Sequence, residues 1–123
     1  MQLIAHRGAS GYAPENTMAA FALALKMGAK AIELDIHQTV DHKLVVIHDD
    51  DLKRVGRDSA RVGDLCWPEL SAFDVGSWLD GRFKTERVPL LKDVMDLTEG
   101  KAELHVEIKA GSRVYPGIEE RLT

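Results

Sequence analysis

The chain contains a single cysteine, Cys66. One thiol closes no internal disulfide, so the expected setting is reducing and cytoplasmic. Basic residues are in deficit: 16 Lys and Arg stand against 20 Asp and Glu, giving a net charge of −4 and a pI near 5.7. That balance gives no support for nucleic-acid binding. No apolar run approaches the length of a bilayer span. The N-terminus also lacks the charged segment and apolar stretch of a signal peptide. These absences predict a cytoplasmic protein without a nucleic-acid partner and without membrane insertion. What is present is ordinary for one small globular domain: 123 residues, 45% apolar and 29% charged.

Three stretches stand out: Ile4-Ala5-His6-Arg7-Gly8, Ile32-Glu33-Leu34-Asp35-Ile36 and Leu104-His105-Val106-Glu107-Ile108-Lys109. Side chains alternate faces along a strand. Read this way, Ile32, Leu34 and Ile36 oppose Glu33 and Asp35, while Leu104, Val106 and Ile108 oppose His105, Glu107 and Lys109. Carboxylates on an inward face are rarely buried unless they are paired or bind a metal. The simplest reading is a cation site shared by Glu33, Asp35 and Glu107. The bland alternatives are surface ion pairs for Glu33 and Asp35 and a Glu107–Lys109 salt bridge.

Between these strands the pattern alternates. Residues 2–6 predict the first strand, and Pro14-Glu15-Asn16-Thr17 a helix start with Asn16 or Thr17 as N-cap. That helix runs to about Met27, with Gly28 as its stop. A second strand covers 31–36, and a turn at 41–43 leads into an antiparallel strand over 44–48. Residues 49–87 read as an irregular insert in which Pro68 opens a short helix. A further helix over 89–97 and a strand over 104–109 follow, and 118–123 opens another helix. Strands and helices in this order, too few to close a barrel of eight, predict an α/β fold: roughly the first half of a larger barrel, with the whole of 1–123 as one partial-barrel domain. Unpaired sheet edges would favour a homo-oligomer.

His6-Arg7-Gly8, Pro14-Glu15-Asn16-Thr17, Glu33-Leu34-Asp35, Val46-Ile47-His48-Asp49 and Val106-Glu107-Ile108-Lys109 occur in order. Together they resemble the glycerophosphodiester phosphodiesterases, relatives of the phosphatidylinositol-specific phospholipase C barrel. Phe73-Asp74-Val75-Gly76-Ser77-Trp78 also resembles the bacterial members. One departure is Leu90, where the family often has threonine after the proline.

The resemblance implies a (β/α)8 TIM barrel with its site at the C-terminal ends of the strands. It implies that Glu33, Asp35 and Glu107 bind one divalent cation, Mg2+ or Ca2+. His6 and His48 would then be general base and acid, Arg7 a phosphate contact and Lys109 a stabiliser of the transferring phosphoryl group. The substrate would be a small glycerophosphodiester, cleaved to glycerol 3-phosphate and an alcohol such as choline or ethanolamine. The chemistry asks for such groups: a phosphodiester needs its charge offset, and its leaving group needs a proton that histidine can supply near neutral pH. Asp49 is placed to orient His48. His105 reads as a deeper packing residue or one that supports the ligands from behind, His42 as solvated, and Trp67 and Trp78 as anchors of the insert. A half-barrel that binds a cation or phosphate without turnover is the alternative.

Overall fold

Alternation along one strand decides the architecture. The computed structural model describes residues 4–108. In it, β2 (Ala31–Gln38) is hydrogen-bonded on both edges. It pairs in parallel with β1 (Ile4–His6) through Ile4–Ala31 to His6–Glu33. It pairs in parallel with β4 (Glu103–Ile108) through Ala31–Glu103 to Ile36–Ile108. The short β3 (Leu44–Val46) runs antiparallel to the end of β2, from Ile36–Val46 to Gln38–Leu44. Because Ile36 pairs with both Val46 and Ile108, β3 lies on the β1 edge of β2, beyond the end of β1. This pairing also carries β2 to Gln38, past the expected end at Ile36.

The apolar face of β2 is covered by helices. Ile32, Leu34 and Ile36 are fully buried against Phe21 and Ala24 of α1 (Met18–Lys26) and Leu91 and Val94 of α3 (Leu91–Thr98). Burying three branched aliphatic side chains of this kind contributes about 1.5–3 kcal/mol each. Thr17 is the cap of α1: its Oγ1 accepts from the Ala20 N–H at 3.2 Å and donates to the Pro14 carbonyl at 2.7 Å. Asn16, the other candidate, instead adopts a left-handed backbone with φ 56°.

Tertiary pairing moves two predicted boundaries. Helix α3 starts at Leu91 rather than Pro89, because the Pro89 carbonyl accepts from Val46 N–H at 2.9 Å and Leu90 bridges Val45. Residues 89 and 90 are thereby held extended. Pro68 is the second residue of α2 (Trp67–Leu70), not the first, since the Trp67 N–H is already turned to Asp41 Oδ1 at 3.0 Å.

Residues 49–87 are more ordered than an irregular stretch. Leu52, Val55, Val62, Leu70 and Val75 pack with Val45, Ile47 and Val88 into a second core, with Phe73, Trp67 and Trp78 at its margin. Trp78 is fixed by its indole N–H, which donates to the Val75 carbonyl at 2.8 Å. Among the described residues, no helix is long and apolar enough to cross a membrane.

The turn after β1 is pressed onto α1. Gly8 has φ +79°, and a Cβ there would lie 2.8 Å from the Ala20 carbonyl carbon and 2.9 Å from its Cβ. Gly8→Ala should therefore destabilise the fold by about 2 kcal/mol, through left-handed strain and the clash together. Urea denaturation should show this as a lower midpoint at unchanged slope.

Candidate functional site

The face of β2 opposite the core carries Glu33 and Asp35, and in-register pairing sets Glu107 beside Asp35. Carboxylate oxygens of Glu33, Asp35 and Glu107 all lie within 4.8 Å of one another. Asp35 is buried to 1% exposure, Glu33 is half-buried and Glu107 is exposed. Oxygen donors of this number and spacing suit a hard divalent cation. A buried atom fits the same reading: among the described residues Glu33 Oε2 is closed off from solvent without a hydrogen-bond donor, and His6 Nε2 lies 3.1 Å from it.

Donors gather around the buried carboxylate. Asn16 Nδ2 donates to Asp35 Oδ2 at 3.2 Å, and Arg7 Nε lies 3.4 Å from the same oxygen. Both residues have φ 56° and are tied together by the bond from Asn16 N–H to the Arg7 carbonyl at 2.9 Å. Arg7 Nη1 also donates to Glu15 Oε2 at 3.3 Å. Thus the loop after β1 and the start of α1 converge on one oxygen of β2.

His48 joins by a longer route. Its Nδ1 is 2.8 Å from Asp49 Oδ1, the orienting contact expected from the sequence. Asp49 Oδ2 accepts from Arg54 Nε at 3.0 Å, and the Arg54 fork donates to both Glu15 oxygens at 2.6 and 2.9 Å. A continuous chain of charges therefore runs Asp35–Arg7–Glu15–Arg54–Asp49–His48. Glu15, Asn16 and His48 line one small cavity. The backbone of His48 is held as well, for buried His37 donates from Nε2 to its carbonyl at 3.0 Å.

Sequence reading missed Glu15, Asn16, His37 and Arg54 as parts of this site. Glu15 and Asn16 sat in a motif read as a helix start. His37 shared the inward parity of β2, which was a usable signal. Arg54 sat in a stretch without periodicity. His105 is a correction: its side chain is about half exposed and lies 3.4 Å from Glu103, so it does not pack deeply. Lys109 lies outside the described residues.

The electrostatics follow from this packing. Burial first, then the like charge of Asp35, push the Glu33 carboxyl above its ordinary range, against the pull of His6. Burial would raise Glu15 too, but hydrogen bonds and charge from Arg54, with Arg7, hold it below that range. Asp49 is held down in the same way by Arg54 and His48 against burial. Burial pushes His37 down, favouring the neutral ring that donates to the His48 carbonyl.

The sequence profile of the Glycerophosphoryl diester phosphodiesterase family matches residues 6–121. The glycerophosphodiester phosphodiesterase of Caldanaerobacter subterraneus subsp. tengcongensis is 45% identical over 121 residues, or 98% of this chain and 50% of that protein. The crystal structure of glycerophosphodiester phosphodiesterase from Agrobacterium tumefaciens superposes with a TM-score of 0.84 at 41% identity, covering 88% of this chain and 47% of the other. An Oleispira antarctica phosphodiesterase, solved with the product sn-glycerol-3-phosphate, also superposes at 0.84, with 35% identity and coverage of 89% and 44%. The chain spans about half the length of the curated relatives it matches. Its sheet is a partial (β/α)8 barrel of the kind these structures complete.

The raised Glu33 carboxyl gives a signed expectation. Without metal, the stability it contributes is present below its ordinary range and is lost as pH rises through the raised value. Glu33→Gln should therefore be at least as stable as the parent at neutral pH in chelator. Added Mg2+ or Ca2+ should raise the Tm of the parent and leave the variant unmoved. Thermal melts with and without chelator read both; an equal cation-linked shift in the two proteins would exclude Glu33 as a ligand.

Proposed function

Because the chain belongs to the glycerophosphoryl diester phosphodiesterase family, we propose that its carboxylate face takes a glycerophosphodiester on one divalent cation. The assembled site then hydrolyses it to glycerol 3-phosphate and an alcohol. The observation that carries this reading is the convergence of Glu33, Asp35 and Glu107 within 4.8 Å, with His6 and Arg7 in contact with two of them. The product bound in the Oleispira relative is the glycerol phosphate this reading requires.

Glu33, Asp35 and Glu107 hold the cation, Mg2+ or Ca2+, which when bound offsets phosphate charge and acidifies a nearby hydroxyl. His6, beside Glu33, takes the proton of the attacking glycerol hydroxyl or water. His48 directs Nδ1 to Asp49, which leaves Nε2 to deliver a proton to the departing alkoxide. The Arg7 guanidinium, anchored on Asp35 and Glu15, sets positive charge beside the phosphate. The assignment of Lys109 as stabiliser of the transferring phosphoryl group rests on the sequence resemblance.

A second reading is a half-barrel that holds a cation or phosphate without turnover. The exposure of Glu107 favours it, since solvent at the site weakens each electrostatic interaction. Among the described residues β1 and β4 have no strand on their outer edges, and a second copy of the chain pairing there would wall the site.

The test is metal-dependent release of glycerol 3-phosphate from glycerophosphocholine by the purified chain, with Glu33→Ala and His48→Ala beside it. The hydrolase reading expects turnover abolished by chelator and by Glu33→Ala. It expects His48→Ala to lose about 10²–10⁴-fold in kcat, the range for general acid–base groups. Absent turnover from folded chain, with cation-linked stabilisation retained, would overturn it for this chain in favour of the binding module.

A further inference from the structure

Arg54 lies outside every motif that carries the family resemblance, yet its side chain is more fully engaged than that of any other arginine whose contacts are described above. The two ends of its fork go to Glu15, its Nε to Asp49, and its Cζ lies over the Trp78 ring, 5.9 Å from the centroid. Trp78 is itself fixed by the Val75 carbonyl. Glu15 is fixed from the other side by Arg7. Arg54 therefore joins the second core to the loop that grips Asp35 through Glu15, and with its Nε it also holds the carboxylate that contacts His48.

We propose that Arg54 is a positioning residue that selects the tautomer of His48. The Asp49 carboxylate can turn freely unless its second oxygen is held. Arg54 Nε holds Oδ2, which fixes Oδ1 at 2.8 Å from His48 Nδ1. An acceptor locked there keeps the proton of the neutral ring on Nδ1 and leaves Nε2 without one. Nε2 then gains its proton only on ionisation, the form in which His48 can act as acid. The consequence for catalysis rests on the hydrolase reading; the tautomer selection does not.

The geometry argues for positioning over stability. The Arg54 end of these pairs is 42% exposed, which screens them, although Glu15 is only 10% exposed and loses a partner without it. What it supplies is orientation, because a planar fork fixes two carboxylates in one geometry. Lysine, a point charge on a flexible stem, cannot span Glu15 and Asp49 in this way.

Long-range 1H–15N spectra of the imidazole rings, in the full 123-residue chain and in Arg54→Met and Arg54→Lys, decide the question. His48→Gln identifies the His48 signals. The parent should show neutral His48 protonated on Nδ1, and both variants should shift population to the Nε2–H form, Arg54→Lys with little loss of Tm because it keeps a positive charge beside Glu15. A neutral His48 protonated on Nδ1 to the same extent in all three proteins would overturn the proposal, as would an Arg54→Lys spectrum equal to the parent. If Arg54→Met fails to fold, Arg54→Lys and Glu15→Gln carry the comparison, since Glu15→Gln weakens the same clamp from its far side. Where the parent turns over glycerophosphocholine, Arg54→Met should lose about ten- to a hundredfold in kcat, with KM within about twofold. No turnover in the parent, with the tautomer shift intact, would count against the hydrolase reading and for the role of Arg54.

Discussion

A carboxylate buried to 1% exposure cannot be left alone, and the polar half of this structure is organised around that constraint at Asp35. Asn16 and Arg7 answer it from the loop after β1 and the start of α1. Supporting Arg7 requires Glu15, and supporting Glu15 requires Arg54. Each donor creates a demand that the next residue meets, until the series reaches His48. The apolar half needs no such series, because Ile32, Leu34 and Ile36 are satisfied by area alone.

One backbone serves both halves. Period-two alternation turns adjacent residues of β2 to opposite faces, so the strand that anchors the helix layer also presents the carboxylates. Pairing on both edges removes freedom of register, because a shift of one residue would send Glu33 and Asp35 into the helices and the aliphatics into the site. The positions of Glu33 and Asp35 are therefore fixed with the core beneath them, and that of Glu107 by its register with Asp35.

This also explains what could be read in advance. Glu33, Asp35 and Glu107 were legible because strand periodicity is local and three strands repeat it. The βαβ order was legible from caps and glycines for the same reason, and the family resemblance named the barrel the strands belong to. The start of α3 was misjudged by two residues because proline's preference for a helix start is local, whereas the Val46–Pro89 bond that overrides it crosses more than forty positions. Arg54 was invisible on the same grounds: its partner Glu15 is 39 residues away, and no period links them. The core under residues 49–87 escaped notice because its aliphatics come from short turns, each too brief to show a pattern.

Arg7 and Asn16 both hold left-handed backbone, a conformation that costs a side chain of arginine's bulk more than it costs asparagine. Their strain sits on the two residues that reach Asp35. Glycine at either position would relax the backbone, but it would strip a partner from the buried carboxylate, a loss larger than the strain relieved. Directed evolution for heat tolerance therefore finds no gain at these two positions, and its increments lie in the helix layer.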